Sequence, residues 1–154
     1  TGACSVFGSL MTFGYLWNAV RVQGGAYGTG MSVRANGDVF CYSYRDPNLK
    51  NSLAAFGGTA DFLQGFLAQG MPLDDIIIGT VNQTDPLLDP SGKCDLMCAR
   101  YLRGTAHDDI ARIRREILST SPDDLAELIG MLRECVESGR FCAVGNRDSV
   151  AFVK

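Results

Sequence analysis

Apolar residues recur at alternating spacings of four and three along the first segment of the chain. The positions are Val6, Leu10, Phe13, Trp17 and Val20. This spacing places all five side chains on one face of a helix, so the pattern predicts a buried helix over Ala3–Val22. The pair Gly24-Gly25 then ends the helix, because paired glycines disfavour it and permit unusual backbone angles.

A β-hairpin is predicted next. Ala26–Arg34 and Asp38–Tyr44 are β-rich runs, and Asn36-Gly37 between them suits a type I′ turn. Three aromatic residues of the second run alternate along it and therefore share one face; they are Phe40, Tyr42 and Tyr44. Pro47 closes the strand, because proline cannot donate to a strand ladder.

The chain from there to Arg140 has the spacing of a run of helices. The first spans Leu49 to Leu67, and Gly57-Gly58 kinks or interrupts it. A second begins at Pro72. A third runs from Lys93 to Leu102.

Two more helices have recognisable starts. Thr105-x-x-Asp108 resembles a capping box, and Ser121-Pro122-Asp123-Asp124 supplies an N-cap with proline at the first helical position. Gly139 is the expected C-cap of the second of these helices. We expect Phe141–Val144 to form a final strand.

The order helix, hairpin, helices, strand predicts an α+β fold, an antiparallel sheet with helices packed on one face. We expect a single domain over residues 1–154, which suffice for one core. Three strands make a thin sheet. Either another strand is missing at the N-terminus, or a partner completes the sheet.

Composition and charge narrow the possible partners. The chain is 46% hydrophobic and 20% charged with a net charge of −3, which is ordinary for a globular protein. Because no Lys/Arg run stands out, nucleic acid is not an expected partner. No apolar stretch approaches the roughly 18–20 residues that span a bilayer, so we expect no membrane span. The chain begins with Thr1, and we expect a processed or partial protein.

Metal-ligating residues are sparse. A catalytic zinc commonly takes three protein ligands, and His107 is the one histidine, so no metal site is expected in this chain. Its position beside two aspartates before a helix suits an exposed loop residue. Cys94 and Cys98 are four apart, which suits packing on a helix face. The six cysteines form no C-x-x-C pair, so we expect reduced thiols and weakly favour an intracellular compartment.

Familiar catalytic motifs do not occur. The sequence has no G-x-S-x-G, Walker lysine loop or G-x-G-x-x-G. Three acid pairs fall at predicted helix starts, where the helix dipole explains them; they are Asp74-Asp75, Asp108-Asp109 and Asp123-Asp124.

Residues 16–28 combine features that folding alone does not require. They place Arg21 at the end of an apolar helix, followed by the glycine pair and by Tyr27 at the start of a strand. In one interpretation, Arg21 caps its own helix and Tyr27 packs in the sheet. In the other, both side chains serve a functional site.

Residues 16–28, with Tyr42–Asn48, resemble the C-terminal half of presequence-protease-like enzymes, in the pitrilysin (insulinase) superfamily of zinc peptidases. The family patterns are L-W-N-x-V-R-x-x-G-G-A-Y-G and Y-S-Y-R-D-P-N, and both are present here. Ile78-Gly79-Thr80 and residues 116–120 also look like family segments. The resemblance extends from about Leu10 to Val144.

The resemblance implies part of a pitrilysin/mitochondrial-processing-peptidase-like metallohydrolase fold that lacks the zinc-binding half. It implies catalytic roles for Arg21 and Tyr27 as donors to the substrate carbonyl, with Gly24 and Gly25 in a substrate-binding loop. In the family, zinc binds the H-x-x-E-H motif of the N-terminal half. The implied partners are that half and unfolded peptides, in bacterial cytoplasm or an organelle matrix.

Without H-x-x-E-H, we expect this chain to be inactive as a peptidase when alone. An alternative function is a non-catalytic scaffold or interaction module of the same fold.

Overall fold

The computed structural model describes residues 1–34, 37–84, 86–146 and 150. The described part is mostly helical and contains one small sheet, in agreement with the α+β class. In chain order its elements are α1 (Gly2–Ser9), a π-helix (Leu10–Val22), β1 (Gly28–Val33), β2 (Val39–Tyr44), α2 (Leu49–Gly57), α3 (Thr59–Ala68), α4 (Asp74–Thr84), α5 (Pro90–Leu102), α6 (His107–Leu118), α7 (Pro122–Ala126) and α8 (Leu128–Glu137).

The predicted hairpin is present as an antiparallel pair of strands. Gly28 lies opposite Tyr44, and Val33 lies opposite Val39. Beyond the strands, the amide of Arg34 donates to the carbonyl of Asp38 at 2.8 Å, which extends the pairing by one residue on each side. The predicted type I′ turn depends on Asn36, which lies outside the described residues.

Helices cover one face of this two-stranded sheet. Met31 is buried in the core, and Val33, Val39 and Cys41 pack against it. The aromatic residues that were predicted to share the opposite face project away from the core, and two of them, Tyr42 and Tyr44, are exposed. Helices on one face were therefore predicted correctly.

The helix before the hairpin is present, but its predicted buried face is partly wrong. Phe13 and Trp17 are 58% and 37% exposed. Leu10 and Val20 are buried as predicted, and Met11 and Leu16 are buried in place of Phe13 and Trp17. The cause is the π-helical winding: i→i+5 hydrogen bonds put more residues in each turn than the α-helical spacing assumes, so the inward face rotates.

The glycine pair between α2 and α3 breaks the helix as predicted. The amide of Gly58 donates to the carbonyls of Ala54 and Ala55, both at 3.1 Å, which ends α2. A Cβ at Gly58 would lie 2.7 Å from the hydroxyl of Tyr15, so a larger residue would collide there. Predicted boundaries elsewhere are displaced by two or three residues, since α4 begins at Asp74 and α5 at Pro90.

The start of α6 corrects one predicted cap. The N-cap is Ala106, whose amide donates to Asp109 Oδ2 at 3.0 Å. The predicted Thr105–Asp108 box is therefore displaced by one residue. The cap at Ser121 is confirmed: its backbone amide donates to Asp124 Oδ2 at 2.8 Å, and the Asp124 amide donates to the Ser121 hydroxyl at 3.3 Å.

The end of the described chain differs from its prediction. Gly139, at φ +59°, follows α8 in the left-handed conformation typical of a helix C-terminus, as expected. Phe141–Val144 is not a strand, and within the described ranges the sheet has two strands. A β-strand requires a neighbouring strand for its backbone hydrogen bonds, and no described strand pairs with this segment.

Candidate functional site

The candidate site lies where the π-helix passes into β1, and its backbone is defined by two hydrogen bonds. The amide of Ala26 donates to the carbonyl of Val20 at 3.1 Å, and the amide of Gly25 donates to the carbonyl of Arg21 at 3.0 Å. These bonds satisfy carbonyl groups at the helix end. Gly25 has φ +80°, a conformation that favours glycine.

Gly24 is required at this bend because of close backbone packing. A Cβ at Gly24 would lie 2.5 Å from the carbonyl oxygen of Val20 and 3.2 Å from that of Ala19. Both neighbours are backbone atoms, which cannot move without moving the helix end. The two glycines that the sequence singled out thus shape the turn that separates Arg21 from Tyr27.

The bend brings the two sequence motifs into contact. The amide of Tyr27 donates to the carbonyl of Tyr44 at 3.0 Å and to that of Arg45 at 3.4 Å. The rings of Tyr27 and Tyr44 meet edge to face, with centroids 6.0 Å apart. A Cβ built on Gly25 would lie 3.4 Å from Cγ of Pro47. Segments separated along the chain therefore form one surface.

Tyr27 is open to solvent. Its side chain is 65% exposed, so it does not pack inside the sheet. The phenolic O–H is a donor and acceptor available to a molecule approaching this surface.

Arg45 supports Tyr27 from the second motif. Its guanidinium carbon lies 5.7 Å from the Tyr27 ring centroid and 5.4 Å from that of Tyr44. Arg45 also has φ +47°, and it is the one non-glycine residue of the described part with a positive φ. Strain of this kind is concentrated at functional sites. No role was predicted for Arg45 from the sequence, although its place in Y-S-Y-R-D-P-N was an available signal.

Arg21 is partly buried and stacks on a neighbouring side chain. Its guanidinium carbon lies 4.0 Å from the centroid of the Trp17 ring. The Trp17 ring in turn meets Phe13, with centroids 6.0 Å apart. Trp17 was predicted to lie in the core. The four-residue spacing between Trp17 and Arg21 was an available signal for the contact between their side chains.

The donor chemistry of the surface follows from these positions. Arg21 offers several charged N–H groups, and Tyr27 offers one phenolic O–H. Neither side chain is sealed in the core. Each of these side chains can donate a hydrogen bond to an electron-rich oxygen, such as a carbonyl, on a molecule that approaches it.

The described chain also contains a cavity, which Arg45 and Pro47 help to line. It is a groove of about 1140 Å³ between β2, α2, α8 and the segment that follows α8, and neither Arg21 nor Tyr27 lines it. Burial of Cys41 beside the groove, with a smaller contribution from Cys135, raises the pKa of the Cys41 thiol to about 12. We place the candidate site on the exposed surface, because the cavity carries neither donor.

No part of the described chain suits a resident metal ion. Within residues 1–34, 37–84, 86–146 and 150, no three His, Cys, Asp or Glu side chains form a group able to hold one. His107 begins α6 and is exposed, in the kind of position the sequence suggested. A zinc ion therefore does not fit the residues of this site. None of the described helices combines the length and apolar character needed to cross a membrane.

Comparison with known proteins assigns the chain to a family. The chain belongs to the PreP C-terminal domain family, which matches residues 1–144. It is 34% identical over 150 residues to presequence protease 1, chloroplastic/mitochondrial, of Arabidopsis thaliana. It is 33% identical over 150 residues to protein HypA of Clostridium perfringens.

These similarities cover most of this chain and little of each relative. Both alignments include 97% of the chain. The mitochondrial presequence protease of Saccharomyces cerevisiae is 33% identical over 75% of the chain. The chain spans 15%, 14% and 12% of the length of the Clostridium, Arabidopsis and yeast proteins, respectively.

Proposed function

We propose that this chain is the substrate-binding C-terminal domain, over residues 1–154, of a zinc metalloendopeptidase that degrades unfolded oligopeptides. Arg21 and Tyr27 are its catalytic donors to the substrate carbonyl. The supporting observation is that both family motifs meet at one bend, with Tyr27 exposed and Arg21 stacked beside the helix end.

The chemistry of peptide hydrolysis explains why two such donors are useful. Attack on the carbonyl carbon places negative charge on the carbonyl oxygen in the transition state. Donors already aimed at that oxygen stabilise the transition state more than the ground state, and one such donor contributes about 2.7–4 kcal/mol. The phenolic O–H of Tyr27 donates a hydrogen bond to the oxygen. Arg21 donates charged N–H groups to the same oxygen or to the substrate backbone.

The remaining machinery belongs to a partner body under this proposal. The zinc ion, which supplies the activated water of such peptidases, sits in the N-terminal half of the complete enzyme. That half covers the Arg21–Tyr27 surface and closes on the peptide, and the two parts share a pitrilysin-like fold. Under this proposal, an exposed Tyr27 and a partly buried Arg21 belong to a half-site that the partner completes.

The proposed cellular compartment is based on the names and organisms of the relatives. The Arabidopsis and yeast proteins are named as chloroplastic or mitochondrial proteases, and the Clostridium protein is bacterial. We propose bacterial cytoplasm or an organelle matrix for the protein that contains this chain.

The proposal is tested by measuring cleavage of an unstructured, fluorogenic peptide by the intact peptidase. Arg21→Ala is expected to lower kcat/KM by about a hundredfold, the effect of losing one such donor. The control is Arg140→Ala, which removes an exposed arginine beyond α8 and is expected to leave cleavage unchanged. Full activity of Arg21→Ala would contradict the proposal and favour a scaffold or interaction module. Zinc-dependent cleavage by the 154-residue chain alone would also contradict it.

A further inference from the structure

We propose that Trp17 is a positioning residue, which holds the guanidinium of Arg21 toward the surface where the substrate carbonyl binds. The inference rests on the function proposed for Arg21 and adds a second residue to that function. The observation behind it is the stack of the Arg21 guanidinium on the Trp17 ring at 4.0 Å, on a helix end whose winding is itself unusual.

The π-helical winding creates this arrangement. In an α-helix of about 3.6 residues per turn, Trp17 would project beside Leu10 and Val20 and enter the core. The wider π turn rotates it outward. Leu10 and Val20 are nearly inaccessible, while Trp17 is partly exposed. Long π-helical segments are uncommon and π turns are frequent at functional sites, which fits a role for the displaced side chains.

Three residues then line up on the outer face of the π-helix. The ring of Phe13 contacts that of Trp17 at 6.0 Å between centroids, with a 43° angle between the planes. Trp17 also contacts Arg21. Phe13 therefore limits the orientations of the indole, and the indole limits those of the guanidinium.

The stack matters because an unrestrained arginine has many rotamers. Ordering its long side chain on substrate binding costs conformational entropy, and a preformed stack removes part of that cost before the substrate arrives. The guanidinium carbon lies over the ring, and a guanidinium held this way keeps N–H groups for a further acceptor. Indole is the strongest of the aromatic partners for a cation.

Activity of the intact peptidase toward an unstructured peptide provides the first test. Trp17→Leu is expected to lower kcat/KM by about fivefold, within the range of a cation–π contact. Trp17→Phe keeps an aromatic ring and is expected to stay within about twofold of the wild type. Tyr101→Leu, which removes an aromatic side chain that is 85% exposed on α5, is the matched control and is expected to have no effect.

A double-mutant cycle separates positioning from general structural damage. If Trp17 acts through Arg21, then Trp17→Leu causes no further loss when Arg21 is already alanine. If Trp17→Leu lowers kcat/KM by the same factor with Arg21 present and with Arg21→Ala, the inference is overturned while the role of Arg21 stands. Unchanged activity of Trp17→Leu beside a strong effect of Arg21→Ala would overturn it as well.

Fluorescence tests the stack even where the proposed function fails. Trp17 is the single tryptophan of the 154-residue chain, so the emission of that chain reports on this ring alone. Arg21→Ala is expected to change the Trp17 emission, whereas Arg140→Ala is expected to leave it unchanged. Identical emission of the wild type and Arg21→Ala would overturn the inference whatever the activity measurements show.

Discussion

The amide of Ala26 donates a hydrogen bond to the carbonyl of Val20 at 3.1 Å, across the bend that ends the π-helix. Each of these residues directly precedes a candidate donor, since Arg21 follows Val20 and Tyr27 follows Ala26. The bond therefore joins the backbones that carry the two donors. A change that disturbs this bend is expected to disturb the donors together.

The bend itself is tested by Gly24→Ala. The new Cβ would lie 2.5 Å from the Val20 carbonyl oxygen, so the helix end or the loop must shift. We expect a loss of about 1–3 kcal/mol in the free energy of unfolding, measured by urea denaturation, and a loss of peptide cleavage in the intact peptidase.

Gly28→Ala is the matched control for this change. A Cβ at Gly28 would meet no atom within 4 Å. The substitution is expected to leave the free energy of unfolding within about 0.5 kcal/mol of the wild type. Equal effects of the two substitutions would contradict the role assigned to Gly24.

Because the backbone of Arg45 is strained, we expect two substitutions at this position to differ in their free energy of unfolding. Both Arg45→Gly and Arg45→Ala remove the guanidinium near the Tyr27 and Tyr44 rings, but only glycine relaxes a φ of +47°. Arg45→Gly is therefore expected to be more stable than Arg45→Ala by about 1 kcal/mol. Urea denaturation measures the difference. An alanine variant as stable as the glycine variant would show that no strain is stored there.

Because of the buried Cys41 thiol, we expect the folded protein to lose stability at alkaline pH. Burial raises the pKa of its thiol from 9.0 to about 12, so the unfolded chain releases this proton more readily than the folded chain. The thiol's contribution to stability is complete below pH 9.0 and is lost as pH rises toward about 12. Between about pH 8 and about pH 10.5, the wild type should lose on the order of 1 kcal/mol more than Cys41→Ala.

Urea denaturation at the two pH values measures this difference. Cys94→Ala removes an exposed cysteine and is expected to keep the wild-type pH dependence. If the stability of Cys41→Ala falls with pH as steeply as that of the wild type, Cys41 is not the group responsible.

Much of the fold could be predicted from local patterns. The hairpin and the helix break at Gly58 depend on turn and breaker residues, and the Ser121 cap depends on a local hydrogen bond. Each is determined within a few residues. The cap of α6 shows the limit of such reasoning: Asp108 and Asp109 are adjacent, and only the observed hydrogen bond from Ala106 to Asp109 selects between them.

The errors arise where an unusual helix winding or a distant contact decides the structure. Phe13 and Trp17 were predicted in the core on an α-helical period, whereas the observed winding is π-helical. Phe141–Val144 has strand-like composition, but strand formation needs a neighbouring strand, which a local pattern does not reveal.

The candidate site was identified partly from the sequence and partly from the structure. Resemblance to family motifs identified Arg21 and Tyr27, and local residues suggested the intervening bend. The supporting contacts of Trp17 and Arg45 required the structure, because the residue spacing and motif position that point to them do not give the winding of the helix or the positive φ.

The central claim is that the phenolic O–H of Tyr27 donates a hydrogen bond to the substrate carbonyl oxygen, and Tyr27→Phe in the intact peptidase tests it most directly. The substitution removes one exposed hydroxyl, so the free energy of unfolding should change by less than about 0.5 kcal/mol. The claim predicts that kcat for an unstructured peptide falls by about 10²–10³ while the protein stays folded. A Tyr27→Phe enzyme with the wild-type kcat would contradict it.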